Sequence, residues 1–284
     1  MESQFQSIKR VFREKFPYYY GKSRYFKNYL LKRNIKLARI ADIIINDMNI
    51  TRNDIVMVHT SLQYINLVDS QPEDLIYLLK MIIGNQGTLL MPTFARNHYT
   101  VLKSELPYNI RNAFCSTGLI NEIFRQMPDT IQSCHPLKSV ASWGKMANYF
   151  TEDHYKSEYA FDQNSPFYKL FLLKAKIIGI GVPLEYFSFL HTIDDTNDKY
   201  FPKRYSEPIK KEIIDSNGEK KFGYYRYNLP EVVKQTSPYR ISKYFEEGEM
   251  REFKKCGVPF FWANAEKVYD KTLYLAKKGI TIYK

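Results

Sequence analysis

The chain has 284 residues, 44% hydrophobic and 16% aromatic, enough to bury one large core or two coupled lobes. No apolar run approaches the ~20 residues that span a bilayer and no secretory h-region is present, so the cytoplasm is the expected address. Three scattered cysteines, Cys115, Cys134 and Cys256, fit neither a disulfide scaffold nor a C-x-x-C metal site, and of the net charge of +12, residues 1–40 carry +9, with eleven Lys/Arg against Glu2 and Glu14.

In that basic arm, Phe5, Ile8, Phe12 and Phe16 recur at helical spacing among Lys9, Arg10, Arg13 and Lys15, which predicts an amphipathic helix broken at Gly21. We divide the chain into this arm, residues 1–35, and a body, residues 36–284. Leu37, Ile40, Ala41 and Ile44 keep the helical period into the body. A β-branched run at 55–59, helical spacing over 73–83 and a short strand at 88–91 follow in βαβ order. That order predicts an α/β fold, a three-layer α/β/α arrangement around a mostly parallel central sheet. A helix over 119–127 stops before Pro128, and Ser165-Pro166 reads as an N-cap with proline at the first helical position, opening a helix over 167–173. Residues 176–182 read as a buried strand. Two alternating runs, 208–214 and 221–227, flank Asn217-Gly218 and predict an added β-hairpin. A helix over 263–278 ends at Gly279, with 280–283 as a last strand.

The five histidines, His59, His98, His135, His154 and His191, form no H-E-x-x-H spacing, so no metal is expected. Gly179-Ile180-Gly181 follows a strand but lacks the third glycine of a dinucleotide fingerprint and reads as a close-packing point. No G-x-S-x-G elbow, Walker loop or kinase signature occurs. The segment from Ser188 to Asp194 differs in kind. It sets a hydroxyl, an imidazole (His191) and a carboxylate at three-residue intervals directly after an apolar strand, along one face if helical. Taken alone, such a His and Asp also fit a hydrogen-bonded structural pair.

The segment has ordered company. Val58-His59-Thr60-Ser61-Leu62 comes first, then Gly87 to Phe94, then His135-Pro136 with Ser139, Ala141 and Gly144. Asn164 to Leu170, Ile177 to Gly181 and Ser188 to Asp194 complete the set. In this order and at these separations the chain resembles the aminoglycoside 3-N-acetyltransferase family, antibiotic acetyltransferases distinct from the GNAT fold. The resemblance runs from about residue 36 to the C-terminus, including Cys256-Gly257-Val258.

What the resemblance implies is an acetyl-CoA-dependent acyltransferase acting on the amine of a sugar ring. The family pattern T-x-x-H-x-x-E falls on Ser188, His191 and Asp194, with Thr replaced by Ser and Glu by Asp. A sugar ammonium becomes nucleophilic only on losing a proton, and a neutral imidazole accepts one near pH 7, so His191 is the expected general base. Asp194 would fix its tautomer, and Ser188 would join backbone amides in stabilising the thioester oxygen. Both substrates bind together, with no covalent enzyme intermediate. The family motifs place coenzyme A against Thr60, Ser61, Thr93, Ser165 and Gly181, with plain N-capping the competing role of Ser165. His59 and His135 read as site-shaping or structural residues, and His154 as lining the acceptor side or lying exposed at the surface.

A basic arm on a nearly balanced body repels polycations. This favours an anionic acceptor, most simply a nucleotide-linked amino-deoxysugar for a surface glycan, over an aminoglycoside antibiotic as the alternative. A rival of another class is a basic nucleic-acid or membrane-surface binding protein acting through the arm. The surviving imidazole and carboxylate argue against it. The arm's milder roles are packing on the body, an oligomer contact, peripheral membrane contact or attraction of an anionic substrate.

Overall fold

Apolar residues alternate between two faces along the central strands, which requires cover on both sides. In β2 (Ile55–Thr60), Met57 faces one core while Val56 and Val58 face the other. The same alternation sets Leu90 against Leu89 and Met91 in β4 (Thr88–Pro92), and Ile177 against Ile178 in β8 (Lys176–Ile180). The computed structural model, which describes residues 32–229, 232 and 236–283, supplies that cover. The expected arm helix lies outside the described residues.

The body is the three-layer α/β/α arrangement. Its sheet has seven strands in the order β11-β12-β8-β2-β4-β7-β6. The remaining four are β6 (Ile131–Gln132), β7 (Val140–Gly144), β11 (Met250–Lys255) and β12 (Val258–Asn264), while the short β1 (Arg33–Ile35), β3 (Ile65–Leu67) and β5 (Tyr108–Asn109) lie outside this sheet. The three central strands β8, β2 and β4 run parallel, and the flanking strands pair antiparallel. One face is covered by α1 (Leu37–Asp42), α2 (Pro72–Ile83) and α3 (Leu119–Gln126). The other is covered by α4 (Ala147–Thr151), α5 (Pro166–Leu172), α6 (His191–Thr196) and α7 (Ala265–Ala276).

Local signals explain these elements. The backbone N–H of Gln71 bonds the Asp74 carboxylate at 2.7 Å, closing a capping box before Pro72. Ser165 accepts from the N–H of Tyr168 at 3.2 Å and Pro166 opens α5, as the Ser-Pro pair predicts. The predicted hairpin is β9 (Ile209–Ile214) with β10 (Lys220–Tyr225), where Asp215 Oδ1 accepts from the N–H groups of Asn217 and Glu219 at 2.8 and 2.9 Å. It seals a small separate core containing Leu102, Ile110, Leu137 and Tyr225.

Two readings need correction. Residues 280–283 form no strand, because the chain there packs side chains into the core instead of pairing its backbone with the sheet. Residues 250–264, which carried no strand prediction, form the β11–β12 hairpin; its turn, Cys256-Gly257, has positive φ at both positions, 53° and 72°. Cys256 is exposed there, while Cys115 and Cys134 are buried as packing residues. No described helix is long and apolar enough to cross a membrane.

Candidate active site

Parallel strands β8, β2 and β4 end at one edge of the sheet, where ligands of open α/β folds gather. Because β7 runs antiparallel to β4, the segment leading into it, residues 133–139, arrives at the same edge. Two cavities open there.

The first, about 320 Å³, lies directly on the strand ends, with His59, Thr60 and Ser61 from β2, Pro92 and Phe94 after β4, and Gly181 after β8. Its far wall includes Tyr64, Thr117 and Asn121. The Thr60 hydroxyl donates to Asn121 Oδ1 at 2.6 Å, and Asn121 Nδ2 donates to the Pro92 carbonyl at 2.7 Å, so α3 is tied to both strand ends. Gly181 has φ +67°, and a Cβ there would lie 2.4 Å from the Ser61 carbonyl oxygen. Only glycine lets these two loops close over the strand ends. Gly179, two residues earlier, is the close-packing point predicted, since a Cβ would fall 2.2 Å from the Phe261 ring. His59 is buried and its pKa is pushed down to about 4 by burial, so it is neutral at pH 7.

The second cavity, about 420 Å³, shares Phe94 and Tyr186 with the first. Ser188 and His191 line it from one face of a 3₁₀ turn (Ser188–Leu190) running into α6, the single-face arrangement expected from the spacing. His191 Nδ1 lies 3.0 Å from Asp194 Oδ2, with the imidazole 26% exposed and the carboxylate 1%. Against an ionised carboxylate Nδ1 is the donor, which leaves Nε2 as the basic nitrogen. The Tyr283 hydroxyl also donates to Asp194 Oδ2 and lies 3.4 Å from His191 Nδ1. Burial and the adjacent Asp194 hold the Tyr283 phenol well above its ordinary pKa, so it remains a donor. Tyr283 was missed, since a tyrosine one residue from the end of the chain carries no motif.

Arg204 anchors this cluster from below. Its Nη2 donates to the Asp194 carbonyl at 2.9 Å and lies 3.5 Å from Asp195 Oδ1. Asp195 in turn accepts from the Tyr205 hydroxyl at 2.6 Å and from the N–H of Phe161 at 3.1 Å, and burial raises its pKa to about 7. The Ser188 hydroxyl is buried and has no hydrogen-bond partner among the described residues, an available donor beside His191.

The remaining expected positions lie elsewhere. Thr93 is buried against Ser139, hydroxyl to hydroxyl at 2.7 Å, and lines neither cavity. Ser165 is the N-cap of α5, the competing role. His135 and His154 line neither cavity. They stack on one another with ring centroids 4.6 Å apart under the hairpin, because His154 bonds Ser133 and the Ala160 carbonyl at 2.8 and 3.2 Å. Burial drives the His154 pKa to about 3 and that of His135 well below 6.5. His98 is likewise lowered to about 3. Among the described residues no cluster of three or more His, Cys, Asp or Glu is placed to hold a metal ion.

The sequence signature described as aminoglycoside 3-N-acetyltransferase matches residues 57–275, which include the strand ends, the lining of the first cavity and α6. The chain belongs to the aminoglycoside 3-N-acetyltransferase family. Similar curated proteins include aminoglycoside N(3)-acetyltransferase III of Salmonella sp., 26% identical over 189 residues, covering 62% of this chain and 65% of that protein. Aminoglycoside N(3)-acetyltransferase VII of Streptomyces paromomycinus is 27% identical over 174 residues, 55% of this chain and 60% of that protein. The matches thus span about 60–65% of those relatives' lengths. Among solved structures, AAC-IIIb in binary complex with CoASH superposes with a TM-score of 0.71 at 19% identity, over 88% of this chain and 99% of that one. The acetyltransferase fold is thereby common to both.

Proposed function

We propose that this family member transfers an acetyl group from acetyl-CoA to the amine of an amino sugar. His191 acts as general base, steadied by Asp194 and Tyr283. The observation that carries this reading is a carboxylate-anchored, partly exposed imidazole lining one cavity that meets the other at Phe94 and Tyr186.

The first cavity suits the donor. Its mixed lining of Phe94, Pro92 and Val182 with Ser61, Ser116 and Tyr64 fits a pantetheine arm, an apolar chain punctuated by amides. Ser61 and Gly181 keep their expected role here, and Thr60 acts through Asn121. The thioester then reaches the junction while the acceptor amine occupies the second cavity beside His191. His191 Nε2 takes a proton from the ammonium, and the freed amine attacks the thioester carbon. A C–N bond forms, the C–S bond breaks and the thiolate leaves with a proton. The Ser188 hydroxyl is the candidate donor to the carbonyl oxygen as it gains charge. The Asp194 carboxylate, held in place by the Tyr283 hydroxyl, favours the imidazolium that forms at His191.

For the acceptor, the relatives' names back an aminoglycoside better than the nucleotide-linked sugar expected from the arm's charge, which draws no support from the comparisons. A thiol-release assay with acetyl-CoA and a panel of kanamycin, gentamicin and UDP-linked amino sugars tests the reading. Thiol release should require a sugar amine and collapse in His191→Ala. A folded protein that binds no acetyl-CoA, or a His191→Ala variant as fast as the parent, refutes it.

A further inference from the structure

The second cavity holds a cation that the reaction scheme does not use. Lys138, three residues after His135 in the segment leading to β7, lines the cavity together with His191. Its backbone N–H donates to His135 Nδ1 at 3.1 Å, so the buried histidine stack fixes where this side chain starts. Its ammonium sits 4.2 Å from the Phe94 ring centroid, over the residue that borders both cavities. It makes no hydrogen bond or ion pair with any described residue.

We infer that Lys138 selects the acceptor: the cavity takes amino sugars that carry a carboxylate or phosphate, which meets Lys138 while the amine meets His191. The inference rests on acyl transfer to an amine and narrows the acceptor within it. A half-enclosed ammonium without an anion is unfavourable, and an anionic oxygen supplies the missing partner. Burial lowers the Lys138 pKa to about 8 against the pull of Asp195, and a bound anion opposes that lowering. His98 and His135, the titratable neighbours on the other side, are neutral and supply no counter-charge.

The rest of the wall points the same way. Arg204 is the other cationic side chain among the described lining residues; its two Nη groups are committed to the carbonyls of Asp194 and Pro202 and to Asp195, and its buried Nε–H has no partner among the described residues. Glu185 is the one carboxylate among them, and it lies exposed at the rim. Asp194 and Asp195 lie beneath the floor with partners of their own. A polycation needs several carboxylates turned toward it, and here an ammonium faces the bound molecule instead. Phe161 links the two ends of the wall, 6.2 Å from Phe94 and 5.6 Å from His191 between ring centroids. An amine and an acidic substituent on one sugar, or on two linked sugars, therefore have separate partners along a single surface.

The test measures kcat/KM for acetyl-CoA-dependent thiol release with glucosamine, glucosamine 6-phosphate, a 2-amino-2-deoxyuronic acid and kanamycin. The parent should prefer at least one acid-bearing sugar over glucosamine by about 10–100-fold, the contribution of one charge-assisted contact. The two acidic sugars separate phosphate from carboxylate. Kanamycin should be the poorest of the four. Lys138→Met should bring the acid-bearing to neutral ratio close to one, Lys138→Arg should keep the preference, and Lys138→Glu should shift it toward kanamycin. An unchanged ratio in Lys138→Met, or an equal fall for all four acceptors, overturns the inference. Calorimetric titration of the coenzyme A-loaded protein with the same compounds reads the binding ratio without turnover. If Lys138-dependent binding persists with no thiol released, acyl transfer fails and acceptor selection stands; if thiol is released with no Lys138-dependent ratio, the reverse holds.

Discussion

His191 and the His135–His154 pair place the same imidazole group in opposite surroundings. His191 is partly exposed, lines a cavity and holds its Nδ1 against a carboxylate. His135 and His154 are 1% and 0% exposed and stack face to face, with no acid bonded to either ring among the described residues. His135 Nδ1 accepts from the N–H groups of Leu137 and Lys138 at 3.2 and 3.1 Å, so its lone pair already holds the main chain. The difference teaches that a histidine in a family motif is a base only where a carboxylate fixes one nitrogen and space is left before the other. Elsewhere the ring is a rigid, neutral strut.

The sharpest way to break the comparison is His191→Ala, for which kcat should fall by ~10²–10⁴ while the thermal midpoint stays near that of the parent. A variant that loses stability and keeps its rate would place His191 with the struts. His154→Ala should do the reverse. Losing the ring and stranding Ser133 and the Ala160 carbonyl should cost about 2–4 kcal/mol in a urea titration, with kcat per folded molecule retained. Tyr283→Phe sharpens the active half: it removes one hydrogen bond to the Asp194 carboxylate, and kcat should drop about tenfold with little change in the KM for acetyl-CoA.

The dependence of stability on pH reads the struts directly. His59, His98 and His154 have folded pKa values of about 4, 3 and 3, and His135 lies well below 6.5, whereas the unfolded chain titrates near ~6.5. Between those values the unfolded chain binds more protons. Stability should thus decline as pH falls from ~6.5 toward 4, by at most ~1.4 kcal/mol per pH unit for each sealed histidine. Asp195, raised to about 7, acts in the opposite sense, since its folded form holds a proton that the unfolded chain has lost. A flat melting profile between pH 7 and 4.5 would show that the struts are not neutral in the folded state.

Much of the architecture was legible because it depends on local patterns. The βαβ order, the Ser165-Pro166 helix start and the Asn217-Gly218 hairpin each rest on a few neighbouring residues. The β11–β12 hairpin was not, because Arg251, Glu252, Lys254 and Lys255 on its edge strand obscure the apolar alternation. At the site, Ser188, His191 and Asp194 stand at helical spacing and could be read directly. Lys138, Arg204 and Tyr283 reach the cavity through the fold, from positions 53 residues upstream to 92 residues downstream of His191, so no spacing reveals them. Thr93, Ser165 and His135 belong to family motifs, but like His154 they brace the walls from behind.

Only Phe94 and Tyr186 border both cavities among the described residues. On the proposed reading that narrow seam makes the molecule modular: changes at Lys138 or Glu185 would retune what is acetylated without touching the strand-end loops proposed to receive the donor. A lineage built on this plan can diversify its acceptors one wall residue at a time while every intermediate keeps its acyl supply.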